Sequence, residues 1–176
     1  ALKPLICALQ MDLPVVDGDG MGRAFPELQM DSFAIGGLDL SPLALGDCHG
    51  NQIILHSVSG PVQAESYARN LTIEMGGSTA LAMPMMTGHE LKRTLIRKTL
   101  SLAKALGEVV IRAREIGKDP VEGIIGLTQG QVLFRGKITD VERRTTRGFS
   151  RGTMKLSAFG DPEDHLEIHF QNENLI

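Results

Sequence analysis

The chain has 176 residues, enough for one substantial core or for one domain with a smaller lobe. With 42% hydrophobic and 22% charged residues it reads as an ordinary folded chain, and a net charge of −3 with one Tyr and no Trp excludes a basic, aromatic nucleic-acid surface. No run approaches the roughly 18 consecutive apolar residues of a membrane helix, no signal peptide opens the chain, and Cys7 and Cys48 lack the CxxC spacing of a metal or redox site, so a cytoplasmic protein without membrane partners is expected.

Residues 2–11 read as the tail of a helix ended by Asp12 and Pro14. Leu13, Val15 and Val16 form a short apolar run that predicts a buried strand, followed by a loop from Asp17 to about Pro26. Two apolar runs, Leu43–Leu45 and Ile53–Leu55, flank His49-Gly50-Asn51 and predict a β-hairpin. Ala64, Ala68, Leu71 and Met75 then recur at helical spacing, and Gly76-Gly77 ends that helix. The Met-rich run Thr79–Met86 predicts a second buried strand. Thr87-Gly88-His89-Glu90 is a capping box that opens a helix carrying Leu91 and Leu95. A longer helical pattern follows Thr99 through Leu102, Leu106, Val109, Ala113 and Ile116, and stops at Gly117 and Pro120.

From about Leu127 the texture changes. Val132–Val141, Thr153–Phe159 and His165–Phe170 are strand-like, separated by Arg147-Gly148 and Gly160-Asp161-Pro162. In the last of these, Leu166, Ile168 and Phe170 share one face and His165, Glu167 and His169 the other. The expected organisation is a layered α/β part over residues 1–126 and the start of a β-rich domain over residues 127–176. The chain opens at Ala1, runs at once into helical pattern and stops on the apolar pair Leu175-Ile176, so a piece of a longer protein is expected.

The foremost candidate for chemistry is Val15-Val16-Asp17-Gly18-Asp19-Gly20-Met21-Gly22-Arg23. A loop at the carboxyl end of a strand is where α/β sheets gather ligands. Gly18, Gly20 and Gly22 permit positive φ and close approach of a ligand to the backbone. Asp17 and Asp19, with Glu27 downstream, have the character to hold a hard divalent cation or to divide acid and base roles. Arg23 is placed to neutralise them or to clamp an anion. The same residues also suit a plain polar loop whose Asp side chains cap backbone amides. GxGxxG is absent, and so are the later ligands of an EF-hand.

Other candidates carry less. Asp47-Cys48-His49-Gly50-Asn51 has the residue types of a nucleophile or metal site but the sequence of a hairpin turn. His89 falls in a helix's first turn, where a neutral imidazole is favoured, though such residues are usually just exposed. His165 and His169 lie too far apart on a strand, at about 3.3 Å rise per residue, to share a metal easily. Gln171-Asn172-Glu173-Asn174 ends the last strand with amides, Asn172 among them, that read planar polar groups well.

Taken together, three blocks resemble the S-methyl-thiohydantoin desulfurase family, found beside hydantoinase/oxoprolinase enzymes. They are Val15–Met30, with its run Asp17-Gly18-Asp19-Gly20-Met21-Gly22-Arg23-Ala24-Phe25-Pro26-Glu27-Leu28-Gln29-Met30; Gly136-Lys137-Ile138 through Asp140-Val141-Glu142-Arg143 to Gly148-Phe149; and Phe170-Gln171-Asn172-Glu173-Asn174-Leu175. The resemblance implies a three-layer αβα domain followed by a β-barrel-like domain, and members longer than this chain at both ends. It implies hydantoin or thiohydantoin metabolism, a small hydantoin-type ligand and a hydantoinase/oxoprolinase partner; a homo-oligomer is a separate expectation on which the resemblance is silent. The expected reaction displaces methanethiol from an S-methylated ring with water. Asp17 or Asp19 is expected as base or metal ligand, Arg23 as charge partner and Glu27 as support or proton donor, with Gly18, Gly20, Gly22 and Asn172 contacting substrate. Mg²⁺ or Ca²⁺ suits this oxygen-rich set better than Zn²⁺. The rival expectation is a non-catalytic accessory or ligand-binding module of a hydantoinase/oxoprolinase system.

Overall fold

The computed structural model describes residues 2–161 and 163–176, so Pro162 of the turn read at Gly160-Asp161-Pro162 lies outside the described residues, as do the side chains of Leu2, Lys3 and Asn174. The elements in chain order are α1 (Leu2–Gln10), β1 (Gly18–Asp19), a 3₁₀ turn (Leu28–Met30), α2 (Ser32–Ile35), β2 (Leu43–Gly46), β3 (Gln52–Leu55), α3 (Pro61–Glu74), β4 (Ala80–Ala82), α4 (Gly88–Thr94), β5 (Ile96–Arg97), α5 (Thr99–Glu115), α6 (Pro120–Thr128), β6 (Gly136–Thr146), β7 (Phe149–Ala158), β8 (His165–Gln171) and β9 (Asn174–Leu175). The chain is thus mixed α/β, with helices and three separate antiparallel sheets, and among the described residues none of these closes into a barrel. It divides into two compact units: residues 1–22 with 95–132, and residues 23–94 with 133–176.

In the first unit β1 pairs antiparallel with β5, Gly18 opposite Arg97 and Asp19 opposite Ile96. α5 and α6 pack side by side, and Gly123 of α6 lies where a Cβ would strike Val109 of α5. α6 goes beyond the expected pattern, which stops at Pro120. Its start is nonetheless well signalled: Asp119 accepts the Val121 amide at 2.9 Å, and Pro120 follows at the first helical position, where its missing N–H costs nothing. Leu13, Val15 and Val16 do not form the expected buried strand. They are 55%, 42% and 51% exposed, Pro14 among them has no amide to donate, and the ladder begins only at Gly18.

In the second unit the sheet order is β3-β2-β4 with β2 central. Leu43 and Leu45 alternate inward from β2 and meet Ala64 and Ala68 of α3, and Leu40 completes this buried cluster. Two alanines one helical turn apart let α3 approach the sheet closely, which is how a four-residue strand is covered by one helix. The expected hairpin is present, with Leu43 opposite Leu55 and Gly46 opposite Gln52. The strand expected over Thr79–Met86 is only Ala80–Ala82 and is exposed; Pro84 cannot donate to a ladder, and Met85 is fully exposed. The capping box is formed as read: the Thr87 amide donates to Glu90 Oε2 at 2.8 Å, and the Glu90 amide donates to Thr87 Oγ1 at 3.3 Å.

The remaining strands form a meander in the order β6-β7-β8-β9. The β6–β7 turn is Arg147-Gly148, with φ 52° and 77°, the left-handed pair that a two-residue hairpin with native twist requires. Phe170 covers Gly152 across the β7–β8 ladder, where a Cβ on residue 152 would collide with the Glu142 carbonyl. A Glu65–Arg69 ion pair on α3 ties this meander to the chain around Pro26, as developed below.

Leu43 has no exposed surface, so Leu43→Ala is expected to cost about 2–5 kcal/mol through lost burial and a cavity. Ile54→Ala, at a position 54% exposed on the neighbouring strand, should stay within about 0.5 kcal/mol. Chemical denaturation of the two variants checks the contrast; equal losses would place the core elsewhere.

Candidate functional site

The Asp17–Gly22 loop is held to the start of α5. Lys98, the residue before that helix, has φ 65° and offers no side-chain oxygen to the first-turn amides. Asp17 supplies the missing cap from far along the chain. Its Oδ1 accepts the Ser101 amide at 3.0 Å, its Oδ2 accepts the Ser101 hydroxyl at 2.5 Å, and its carbonyl accepts the Lys98 amide at 2.9 Å. The Ser101 hydroxyl, then the Ser101 amide, hold the Asp17 carboxyl below the usual carboxylate range. Asp19 turns back on its own loop, where Oδ1 accepts the amides of Met21 at 2.8 Å and Gly22 at 2.6 Å. Burial alone would raise its pKa, but the amides of Gly22 and Met21 outweigh that and the net shift is downward.

The glycines of this loop have local reasons. A Cβ at Gly18 would stand 2.6 Å from the Ile96 carbonyl oxygen, and Gly22 has φ 66°. Gly20 is buried. Asp17 therefore serves the start of α5, Asp19, Gly18 and Gly22 serve the loop's own geometry, and the two aspartates remain ionised, weakly basic groups. Among the described residues no group of three or more His, Cys, Asp or Glu is placed to hold a metal ion.

Arg23 and Glu27 belong to the second unit. Arg23 is exposed. Glu27 lies just before the 3₁₀ turn in extended backbone, φ −144° and ψ 144°, and its carboxylate accepts from the Gln29 side-chain amide. Glu27 and Gln29, but not Arg23, line a groove of about 270 Å³ whose other walls are Val62, Glu65, Ser66, Arg69, Asn70, Arg147 and Phe149. Its size is at the low end for ligand pockets, suited to a single small ring rather than a dinucleotide. Its chemistry is mixed: carboxylate, amide and guanidinium groups beside an aromatic edge and a valine.

Glu65 and Arg69 also line the groove and were not visible as site residues in the sequence. Glu65 Oε1 pairs with Arg69 Nε one turn along α3, and Glu65 Oε2 accepts the Leu28 amide at 2.8 Å. Arg69 Nη2 donates to the Pro26 carbonyl at 2.6 Å and Nη1 to the Gly148 carbonyl at 3.2 Å, while the guanidinium lies 4.0 Å over the Phe149 ring. The only sequence signal was a Glu four residues before an Arg on a helix, a common pairing. Arg147 reaches the groove because the left-handed turn residue it occupies sits beside Phe149.

The other candidates are placed plainly. Asn172, at φ 52° between β8 and β9, accepts the Ser150 amide at 2.9 Å with its side chain and donates its own amide to the Ser150 carbonyl at 2.6 Å, so it closes a strand end. Asp47 Oδ1 accepts the amides of His49 and Asn51 at 2.8 and 2.9 Å, the pattern of a turn. Cys7 and Cys48 are free and exposed. His89 is exposed, and His165 and His169 face outward, His169 beside Glu167 at 3.2 Å.

Residues 1–57 match the family described as S-Me-THD-like, N-terminal domain, and residues 59–176 match S-Me-THD-like, C-terminal domain; the chain belongs to the S-Me-THD-like family. No curated protein matches the sequence. Among solved structures, the chain is similar in fold to a protein from Chromobacterium violaceum determined by X-ray crystallography, at 24% identity and a TM-score of 0.58. The similarity covers 96% of this chain and 48% of that one, so the chain spans about half the neighbour's length.

The Asp17 cap has a pH signature. A carboxyl whose folded-state pKa is lowered stabilises the fold above its unfolded value, about 3.9, and that contribution is lost as pH falls through the lower folded value. Asp17→Ala should therefore lower the melting temperature by a constant amount above about pH 5, with the difference from wild type shrinking as pH falls below the unfolded value of about 3.9. Amide exchange at Ser101 should rise in the variant at neutral pH. A melting-temperature gap that persists unchanged into acid would show that Asp17 acts through something other than its charge.

Proposed function

From membership of this family and the polar groove around Glu27, we propose that the protein hydrolyses the C–S bond of an S-methylated thiohydantoin ring. The observation that carries the reading is the family match over residues 1–57 and 59–176. Supporting it is a groove of single-ring size in which a carboxylate and a guanidinium, Glu27 and Arg147, share one wall system.

The reaction adds water to the ring carbon that bears the S-methyl group, passes through a tetrahedral centre and expels methanethiol, leaving a ring carbonyl. One proton must leave the water and one must reach the sulfur. Glu27 performs both transfers in this reading, as base and then as acid. Arg147 supplies positive charge to the tetrahedral centre, the role expected of Arg23, which lies four residues before Glu27 on the same segment. Val62 and the Phe149 ring offer the apolar sides against which a planar ring lies.

Asp17 and Asp19 are the weaker candidates for the base, because their donors hold both carboxyls below the ordinary range and so reduce their basicity. In this reading Asp17 fixes the start of α5 and Asp19 closes the loop that carries Gly18, Gly20 and Gly22. Should a divalent ion bind, their oxygens are the ones with the chemistry to hold it. The finer architecture belongs to the same proposal: a three-layer αβα part over residues 1–126 and, from residue 127, strands that open a barrel-like domain. So does a cytoplasmic setting in hydantoin metabolism beside a hydantoinase/oxoprolinase partner, with which free, exposed cysteines are compatible.

Purified protein incubated with an S-methyl-thiohydantoin should release methanethiol, detected with a thiol reagent. Glu27→Gln should lower kcat by about 10²–10⁴-fold, the range for losing a general acid–base group. Asp17→Asn and Asp19→Asn should retain most turnover. If Glu27→Gln turns over like wild type while Asp19→Asn does not, the base is misassigned. If wild type releases no methanethiol yet binds the ring or a hydantoinase, the accessory-module reading replaces this one.

A further inference from the structure

We infer that Glu65 and Arg69 position Glu27, so that α3 fixes the orientation of the groove carboxylate while their own charged groups stay engaged with protein partners. This rests on reading Glu27 as the base.

Within its own segment the Glu27 carboxylate meets the Gln29 side-chain amide, and the backbone that carries it has no regular structure to fix it. Its backbone is extended, it precedes a turn of only three residues, and its side chain makes no capping bond there. The peptide on each side is instead gripped from α3. Arg69 Nη2 holds the Pro26 carbonyl at 2.6 Å, one residue before, and Glu65 Oε2 holds the Leu28 amide at 2.8 Å, one residue after. The two gripping side chains are themselves joined as an ion pair, so neither can swing without the other.

The engagement of Arg69 separates it from a substrate ligand. Nε is paired with Glu65, Nη1 and Nη2 each hold a backbone carbonyl, and one face lies on Phe149. Glu65 likewise uses one oxygen on Arg69 and the other on Leu28, and is only 8% exposed. A charge pair in which each nitrogen of Arg69 and each oxygen of Glu65 holds a partner is suited to keeping a neighbour in register, which is what proton transfer within hydrogen-bond reach demands. A lysine at residue 69 would keep the charge but could not bridge Glu65, Pro26 and Gly148 at once, because an ammonium lacks the planar fork.

The test compares Arg69→Lys with wild type in two independent readouts. Leu28 amide exchange should accelerate about tenfold or more while the Leu71 amide in α3 stays protected. In the same variant kcat should fall tenfold or more with KM within threefold. A loosened Leu28 amide with unchanged kcat and KM overturns the inference. Should wild type release no methanethiol, the base reading fails by itself, and the ¹³C signal of the Glu27 carboxylate decides the positioning: a signal moved by Arg69→Lys sustains it, an unmoved one overturns it. If Arg69→Lys fails to fold, Glu65→Gln, which keeps an acceptor but loses the charge, is read in the same way.

Discussion

Glu65 and Arg69 hold the second unit together in a way that no run of hydrophobic residues could. Glu65 sits between Ala64 and Ala68 on the face that α3 buries, so its charge has to be answered inside the fold. Arg69, one turn later, answers it, in the Glu-before-Arg order that the helix dipole favours. Such a pair need not be more stabilising than an apolar pair of the same volume, but removing one partner alone is severe, about 3–5 kcal/mol for fully buried pairs and less here because a quarter of the Arg69 side chain is exposed. What the pair adds over leucines is direction. Its remaining donors and acceptor reach Pro26 and Leu28 on one chain segment and Gly148 on another, two segments that share no secondary structure.

The first unit solves a related problem with one carboxylate. A helix leaves its first amides unsatisfied, and α5 begins after a lysine in a left-handed conformation, which cannot cap them. Asp17 comes from 84 positions earlier to do so. The close pairing of β1 with β5, which Gly18 makes possible, brings it there. Capping and strand pairing are therefore one arrangement. A substitution that fills Gly18 disturbs the helix start as well as the two-residue ladder.

Features set by neighbours in sequence were legible; features set by neighbours in space were not. The Leu43–Leu55 hairpin, α3 with its Gly76-Gly77 stop, the Thr87–Glu90 box and the strand alternation of His165–Phe170 each follow from local rules of period, turn and cap. α6 also had a local signal in Asp119-Pro120, masked because the preceding pattern ends at the same proline. Leu13–Val16 and Thr79–Met86 look like strands by composition, but a strand needs a partner edge and an unbroken run of donors: Pro14 interrupts the first, and Pro84 follows the second's short paired stretch at Ala80–Ala82. The Asp17–Ser101 and Arg69–Gly148 bonds span 84 and 79 positions, and nothing in either local sequence announces them.

The acidic, glycine-punctuated segment shows why spacing locates chemistry better than it assigns it. Read along the chain, Asp17, Asp19, Arg23 and Glu27 form one block, and carboxylates so close together invite a single site. The division between units falls inside that block, between Gly22 and Arg23. On one side the carboxylates meet backbone amides and a serine hydroxyl, which keep them ionised and poorly basic. On the other, Glu27 meets a side-chain amide and faces a groove lined by Arg147 and Phe149. Three acidic residues of nearly identical intrinsic chemistry are thus divided into two structural caps and one candidate proton carrier by the donors each encounters. Those donors come from α5 and the Met21–Gly22 turn in one case and from Gln29 in the other.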